Sequence, residues 1–102
     1  MSYSELEMKI IQWGEARRIV QNSTPRAQLK KTVEELKELR DAIREKDQAK
    51  IKDAYGDVLV TLIIGCACAD IDLISCLALA YDEIKDRKGY LTPEGIFVKE
   101  AA

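Results

Sequence analysis

Apolar residues recur along the chain at the spacing of α-helices, and polar stretches between them divide the sequence into four predicted helices. These helices cover about residues 3–20, 25–45, 47–69 and 72–88. Short polar side chains that suit the N-cap position mark three of the starts: Ser2, Thr24 and Asp47. Pro25 follows Thr24 directly, and proline is favoured at the first position of a helix.

The second and third predicted helices differ in how their apolar residues are distributed. The second has a single apolar stripe, formed by Leu29, Val33, Leu36, Leu39 and Ile43. The third is apolar on every side from Val58 to Ala69, so it must be surrounded by other helices. A chain of 102 residues supplies few neighbours. We therefore predict an all-α fold, a four-helix bundle completed by homo-oligomerisation with the third helix in the shared core.

The last third of the chain is predicted to contain one more helix and a short arm. Asp70 or Asp72 opens this fourth helix, and Gly89 provides a C-terminal stop after Lys88. Residues 90–102 are expected to form an extended arm or a small hairpin. No internal repeat or second domain is evident, so residues 1–102 are predicted to form one domain.

Composition and charge narrow the classes of function. The chain has 16 basic and 18 acidic residues, a formal charge of −2, so no overall basic field attracts nucleic acid. The apolar run of the third helix is too short to span a bilayer. We expect a soluble cytoplasmic protein without a nucleic-acid or membrane partner. The three cysteines are expected to be buried and reduced, and the absence of histidine excludes the usual Ser-His-Asp and Cys-His catalysis.

Two acidic clusters lie on consecutive predicted helices. Glu35 and Glu38 are three residues apart and Asp53 and Asp57 four apart, so each pair shares a helix face. A carboxylate beside the apolar run is costly to desolvate unless a cation or hydrogen-bond donors meet it. A divalent cation held between the two helices explains all four positions, because hard ions prefer oxygen ligands. The structural alternative is a solvated surface, with Lys30–Glu34 and Lys31–Glu35 pairs on the second helix.

Taken together, the two clusters resemble the signature of MazG-type nucleoside triphosphate pyrophosphohydrolases. That signature is Glu-Glu-x-x-Glu on one helix and Glu-x-x-Asp on the next. This sequence has Glu34-Glu35-Leu36-Lys37-Glu38 and then Asp53-Ala54-Tyr55-Gly56-Asp57-Val58-Leu59. The resemblance extends through Trp13, Lys31 and the segment Tyr81–Gly89. It covers nearly the whole chain and is greatest to compact single-domain members found in phages and mobile elements.

The sequence departs from the family at one position of the second motif. Ala54 stands where the family usually has glutamate, and the acid lies one residue earlier, at Asp53. Asp53 still shares a helix face with Asp57, and its shorter side chain can act through water, which Mg²⁺ accepts readily.

The resemblance implies Mg²⁺-dependent hydrolysis of a nucleoside triphosphate to the monophosphate and pyrophosphate, in a nucleotide-pool-cleansing role, with Mn²⁺ as the alternative ion. The implied metal ligands are Glu35, Glu38, Asp57 and Asp53, with Glu34 in an outer shell or in solvent. Glu38 or Glu35 is expected to accept the proton of the attacking water. Self-association as a homodimer or homotetramer, with active sites near chain interfaces, is also implied.

Five further residues are expected to contact the substrate: Lys31, Lys85, Arg87, Lys88 and Trp13. Each also has an ordinary structural explanation. The three cations near residue 88 would compensate the dipole at a helix C-terminus, and Trp13 would pack in the core with Ile10. For the basic cluster the two interpretations are about equally weighted, and for Trp13 the core is favoured.

Two rival functions remain open from the sequence. One is a non-catalytic helical dimerisation or interaction module whose acidic face binds a basic partner. The other is a degenerate member that binds nucleotide without cleaving it, because of Ala54. An interaction surface gives no reason to place Asp57 against an apolar run, which favours the enzyme. The sequence selects neither a base nor a sugar.

Overall fold

The computed structural model describes residues 1–101 and is almost entirely helical. The helices are α1 (Tyr3–Ala16), α2 (Ile19–Asn22), α3 (Pro25–Glu45), α4 (Gln48–Cys68) and α5 (Leu73–Ile84). Two short strands, β1 (Gly89–Leu91) and β2 (Phe97–Lys99), follow. The predicted all-α class is confirmed.

Side-chain caps fix the start of each long helix as the sequence predicts. Thr24 Oγ1 accepts a hydrogen bond from the Ala27 amide at 3.0 Å, with Pro25 at the first helical position. The Ser2 and Asp47 side chains accept equivalent bonds at the starts of α1 and α4. Of the two candidates for the last helix, Asp72 is the cap, and it accepts from the Ser75 amide at 2.7 Å. Each cap satisfies an amide that would otherwise lack a partner.

The first helix does not run unbroken to residue 20, which corrects the predicted range of 3–20. It ends at Ala16, and Arg18 adopts a left-handed conformation with φ 61° before α2 begins. The bend places Val20 against Gly14, and a Cβ on Gly14 would lie 3.1 Å from Val20 Cγ2 and 2.6 Å from Ile64 Cδ1. Periodicity continues through the break because the apolar residues on both sides of it pack toward the same neighbour, α4.

The core lies mainly between the antiparallel helices α3 and α4, which make the most extensive contact in the chain. Five apolar residues are buried: Leu39, Ala42, Ala54, Ile63 and Ile64. Between them the Thr32 and Thr61 hydroxyls, both buried, are 2.8 Å apart and hydrogen-bonded. Thr61 also donates to the Val58 carbonyl, so these polar groups are satisfied.

The face of α3 that packs on α4 is not the predicted apolar stripe. The inward residues are Thr32, Glu35, Leu39 and Ala42. Leu39 belongs to the stripe, but its other four members are 44–60% exposed: Leu29, Val33, Leu36 and Ile43. The inward face is more polar than the stripe because it includes the Thr32 hydroxyl and the Glu35 carboxylate.

The fourth predicted helix also ends early, at Ile84 rather than Lys88. Gly89 is a strand residue paired with Lys99 and not a helix stop. A Cβ at this position would collide with the Phe97 ring and the Val98 carbonyl of the paired strand, which accounts for the glycine. The strands pair antiparallel, with Tyr90 opposite Val98. Of the two conformations predicted for residues 90–102, the hairpin is the one observed, and Ala102 lies outside the described residues.

Helix α5 is anchored at its first turn. Glu7 of α1 is buried, and its Oε1 accepts a hydrogen bond from the Ile74 amide at 3.2 Å. Beyond this turn the apolar side chains of α5 are largely exposed, among them Leu77, Leu79, Tyr81 and Ile84. Within residues 1–101 no single helix is long and apolar enough to cross a bilayer; α4 and α5 together meet that length and composition, but they are bent by 103°.

Candidate metal centre

Three carboxylates from two helices converge on the exposed side of the α3–α4 pair. Glu35 and Glu38 come from α3 and Asp57 from α4. One oxygen of each lies within 4.8 Å of the other two. Glu35 is buried, Asp57 half-buried and Glu38 exposed, so the cluster is closed at the core and open to solvent. The structure therefore brings two carboxylates of the first acidic motif, Glu35 and Glu38, next to Asp57 of the second.

Glu35 is the innermost member of this cluster. It is 8% exposed, and its Oε2 is buried without a hydrogen-bond partner among the described residues. Burial raises the pKa of its carboxyl, and the facing Glu38 carboxylate raises it further, while Lys31 opposes the shift. A carboxylate in this environment is stabilised by a proton or by a cation.

The pKa of the Asp57 carboxyl is raised as well. Burial raises the pKa of its carboxyl, the charges of Asp53 and Glu35 add to that effect, and Lys31 opposes it. The helices thus hold acidic groups together at a cost in the absence of a counter-ion. Such perturbed groups in a cleft are typical of functional sites.

The donor set fits a hard divalent cation. All donors are carboxylate oxygens, as Mg²⁺ and Mn²⁺ prefer. Two ligands on opposite sides of Mg²⁺ are about 4.2 Å apart, close to the 4.8 Å limit within which these oxygens lie. A cation between them would also satisfy the orphaned Glu35 Oε2. Exposed acidic groups often occur without an ion, so the buried oxygen is the more specific observation.

The other two predicted acidic residues lie outside this cluster of three. Asp53 is exposed, and its charge acts on Asp57 from one helical turn away. It lines a polar cavity of about 290 Å³ together with Glu38, and Ala54 forms part of the floor. Glu34 is exposed and pairs with Lys31 at 3.3 Å. Asp53 is therefore placed to act near the cluster, and Glu34 faces solvent.

Lys31 and Trp13, predicted as substrate contacts, line one cavity next to the cluster. Lys31 Nζ lies 3.5 Å from Glu35 Oε1, and its charge reaches both Glu35 and Asp57. The cavity, about 400 Å³ in volume, is here called the Trp13 cavity; its lining residues are Trp13, Ile19, Gln28, Lys31, Val60, Thr61 and Ile64. Trp13 is 45% exposed, and the Arg17 guanidinium stacks on its ring at 4.5 Å from the centroid. Trp13 is therefore not a buried core residue in the single chain.

The remaining predicted cations lie elsewhere. All three follow the end of α5 at Ile84 and are exposed: Lys85 at the C-cap position, Arg87 and Lys88. Lys85 pairs with Asp82 at 3.4 Å. In the described part of the chain, Lys31 is the cation whose charge acts on Glu35 and Asp57, and these three do not.

The structure adds one polar residue to the site that the sequence did not indicate. Gln28 lies one turn before Lys31 on α3 and lines the Trp13 cavity. In sequence it resembles any polar residue on an amphipathic helix. The one available signal is its position three residues before Lys31, which places both on one helix face.

Comparisons with known proteins identify the family of the chain. Residues 23–91 match the family model of the MazG nucleotide pyrophosphohydrolase domain. The chain is 38% identical over 60 residues to an uncharacterised 18.2 kDa protein from the rep-hol intergenic region of Haemophilus phage HP1 (strain HP1c1). That alignment covers 59% of this chain and 37% of the phage protein, so the chain spans well under half of its relative. No solved structure matches the chain significantly. Since the family model spans more than half of the chain, including both acidic motifs, the protein belongs to the MazG nucleotide pyrophosphohydrolase domain family.

Proposed function

We propose that this protein is a Mg²⁺-dependent pyrophosphohydrolase that converts nucleoside or deoxynucleoside triphosphates to monophosphates and pyrophosphate. Family membership supports nucleotide pyrophosphohydrolysis in general. The observation that carries the proposal for this chain is the Glu35–Glu38–Asp57 cluster, with its buried and unpartnered Glu35 oxygen. Cleansing of the cytoplasmic nucleotide pool is the role we assign to this activity.

Glu35, Glu38 and Asp57 hold the divalent cation in this proposal, and Asp53 contributes from the adjoining cavity. A divalent cation bound there neutralises phosphate charge and lowers the pKa of water. Glu35 provides the rigid side of the site because it is buried between the helices. Mn²⁺ would occupy the same oxygen ligands.

Glu38 is the residue we assign as proton acceptor, with Glu35 as the alternative. Water attacks the α-phosphorus, the bond between that phosphorus and the α–β bridging oxygen breaks, and pyrophosphate leaves with the bridging oxygen. The proton of the water passes to the carboxylate. Glu38 is exposed while Glu35 is buried, so Glu38 is more accessible to a water at the mouth of the site. No histidine is present in the sequence to serve instead.

Lys31 is proposed to contact the phosphates from the edge of the cluster. Its ammonium group already lies between two glutamates, at 3.3 Å from Glu34 and 3.5 Å from Glu35. Hydrogen bonding to Glu34 raises the pKa of Lys31, so the side chain remains charged at neutral pH. Lys85, Arg87 and Lys88 are retained as phosphate contacts only within an assembly, because the single chain leaves them away from the cluster.

Homodimers or homotetramers are part of the proposal. The exposed side chains of α5 form a wholly apolar groove lined by Ile74, Leu77, Ala78, Ala80, Tyr81 and Ile84. The outer stripe of α3 is exposed as well. Apolar surface of this extent is typical of protein interfaces. The alternative, a non-catalytic helical interaction module whose acidic face binds a basic partner, differs in predicting no turnover.

The decisive experiment is pyrophosphate release from a panel of ribo- and deoxynucleoside triphosphates, with Mg²⁺, with Mn²⁺ and with a chelator. We expect ion-dependent formation of monophosphate and pyrophosphate in equal amounts. Glu35→Gln is the matched inactive control, since it retains size and removes a charge from the cluster. Absence of release in every combination would reject the enzyme, and nucleotide binding without release would identify the degenerate binding member instead.

A further inference from the structure

We infer that Gln28 contacts the base of the bound nucleotide in the Trp13 cavity and contributes to base selection. This inference rests on the proposed function, since it concerns the same substrate. It concerns a residue outside both acidic motifs, at the end of the first turn of α3. The ligand class is a nucleobase with hydrogen-bonding groups on its edge.

The location of the Trp13 cavity is the first step. Lys31 lines the cavity and also lies 3.5 Å from Glu35, so it stands between the cavity and the acidic cluster. Thr61 lines it from α4, one helical turn after Asp57. A triphosphate held at the cluster and at Lys31 would therefore have its nucleoside within reach of this cavity. Arg17 covers one face of the Trp13 ring, yet the ring is still 45% exposed and lines the cavity, so it can stack on a base.

The polar groups of the cavity lead to Gln28. The hydroxyl of Thr61 is already engaged by Thr32 at 2.8 Å and by the Val58 carbonyl at 2.7 Å. Apart from Lys31, the other lining residues from the two long helices are apolar. The Gln28 carboxamide is thus the neutral polar group with hydrogen-bonding capacity to spare.

The carboxamide is also held in position. Gln28 Nε2 donates to Ser23 Oγ at 3.1 Å in a partly buried bond. Its Cβ faces Gly65, where an added Cβ would lie 3.4 Å away, so α4 approaches the side chain closely. The bond to Ser23 uses one of the two amide hydrogens. The second hydrogen and Oε1, which accepts no bond within residues 1–101, can pair with a base edge, as Gln does elsewhere.

The test combines kinetics with a binding readout. The chain has one tryptophan, and it lines this cavity, so intrinsic fluorescence reports occupation of the cavity directly. Wild type and Gln28→Leu are titrated with the preferred nucleoside triphosphate and with inorganic tripolyphosphate, which has no base. Gln21→Leu is the matched control, because its amide makes a similar bond, to the Glu15 carbonyl at 3.2 Å, outside the cavity.

We expect Gln28→Leu to raise the Kd and the KM for the nucleotide about tenfold, the factor that corresponds to one hydrogen bond of about 1.4 kcal/mol. Inhibition by tripolyphosphate and the rates of Gln21→Leu should not change. Wild-type nucleotide affinity in Gln28→Leu, or an equal loss for tripolyphosphate, would overturn the base contact. A wild-type protein that binds nucleotide in the assay but does not hydrolyse it refutes the enzymatic proposal alone, and the Kd comparison still decides the role of Gln28.

Discussion

Glu35 of α3 and Asp57 of α4 have carboxylate oxygens within 4.8 Å of each other, although the two residues are 22 positions apart in sequence. The charge of Glu35 raises the pKa of Asp57, and burial raises the pKa of both groups. The α3–α4 packing therefore holds two acids in an arrangement that is unfavourable without a counter-ion. This relationship determines how the site should respond to mutation and to pH.

Neutral replacements of the three carboxylates should separate activity from stability. We expect Glu35→Gln, Glu38→Gln and Asp57→Asn each to abolish pyrophosphate release, because each removes a cation ligand. Without added metal, their thermal midpoints should equal or exceed that of wild type, since like-charge repulsion is reduced. Glu34→Gln is the control, because Glu34 is exposed and pairs with Lys31, and it should retain most activity. A large loss of metal-free stability in Glu35→Gln would contradict this assignment.

The raised pKa values predict how stability depends on pH. The folded state takes up protons on Glu35 and Asp57 at higher pH than the unfolded state, whose groups titrate near the ordinary values of 4.5 and 3.8. The metal-free protein should therefore gain stability from these groups as pH falls from neutrality toward those values. Stabilisation by Mg²⁺ should decrease over the same range, because protons compete for the ligands.

Thermal melts at several pH values, with and without Mg²⁺, measure both trends. Other carboxylates also titrate, so the informative quantity is the difference between wild type and the Glu35→Gln, Asp57→Asn double variant. That difference should shrink as pH falls. A difference that stays constant with pH would show that these two groups are not perturbed.

The fold class and the acid positions could be predicted from the sequence because both depend on local spacing. Glu35 with Glu38, and the i,i+4 position of Asp53 before Asp57, follow from helix geometry alone. The all-α class follows from apolar periodicity. The break at Arg18 could not be predicted in this way, because Val20 on the far side of the break packs toward the same helix as the residues before it.

Burial was harder to predict than helical content. The apolar stripe on α3 suggested an inward face, yet Leu29, Val33 and Leu36 are exposed and Glu35 is buried. Spacing identifies which residues share a face, but it does not identify what covers that face. Gln28 could not be predicted for the same reason, since its proposed role depends on a cavity formed by α1, α2, α3 and α4 together.

Substitutions at Asp53 and Ala54 should have opposite effects on the site: one should lower the rate, and the other should strengthen Mg²⁺ binding. Asp53→Asn should lower the rate at least about tenfold, roughly 1.4 kcal/mol in transition-state stabilisation, because Asp53 supplies the acid missing at position 54. Ala54→Glu should lower the Mg²⁺ concentration for half-maximal rate by about tenfold, because it adds a charged ligand. Ala54 is buried but lines the adjoining cavity of about 290 Å³, so the longer side chain would extend into that cavity.

Ala54→Gln provides the matched control for this pair, since it has the same size without the charge. It should leave the Mg²⁺ requirement near that of wild type. Ala54→Glu should also restore the rate in the Asp53→Asn background. Near-wild-type rate and Mg²⁺ dependence in Asp53→Asn would mean that Glu35, Glu38 and Asp57 are sufficient.

The exposed apolar face of α5 predicts that assembly and activity are lost together. Leu77 and Ile84 are 58% and 51% exposed and line one apolar groove, so replacing both with glutamate should cost the single chain little folding free energy. In an oligomer the same charges would be buried without partners, which is strongly unfavourable. We expect the double variant to have a smaller mass than wild type in size-exclusion chromatography with light scattering, and to lose pyrophosphate release if the sites lie at chain interfaces.

Ser75→Glu is the control, because Ser75 is an exposed polar residue on the same helix; this variant should change neither the mass nor the activity. A wild-type protein that is a folded, active monomer at micromolar concentration would refute both the assembly and the interfacial site.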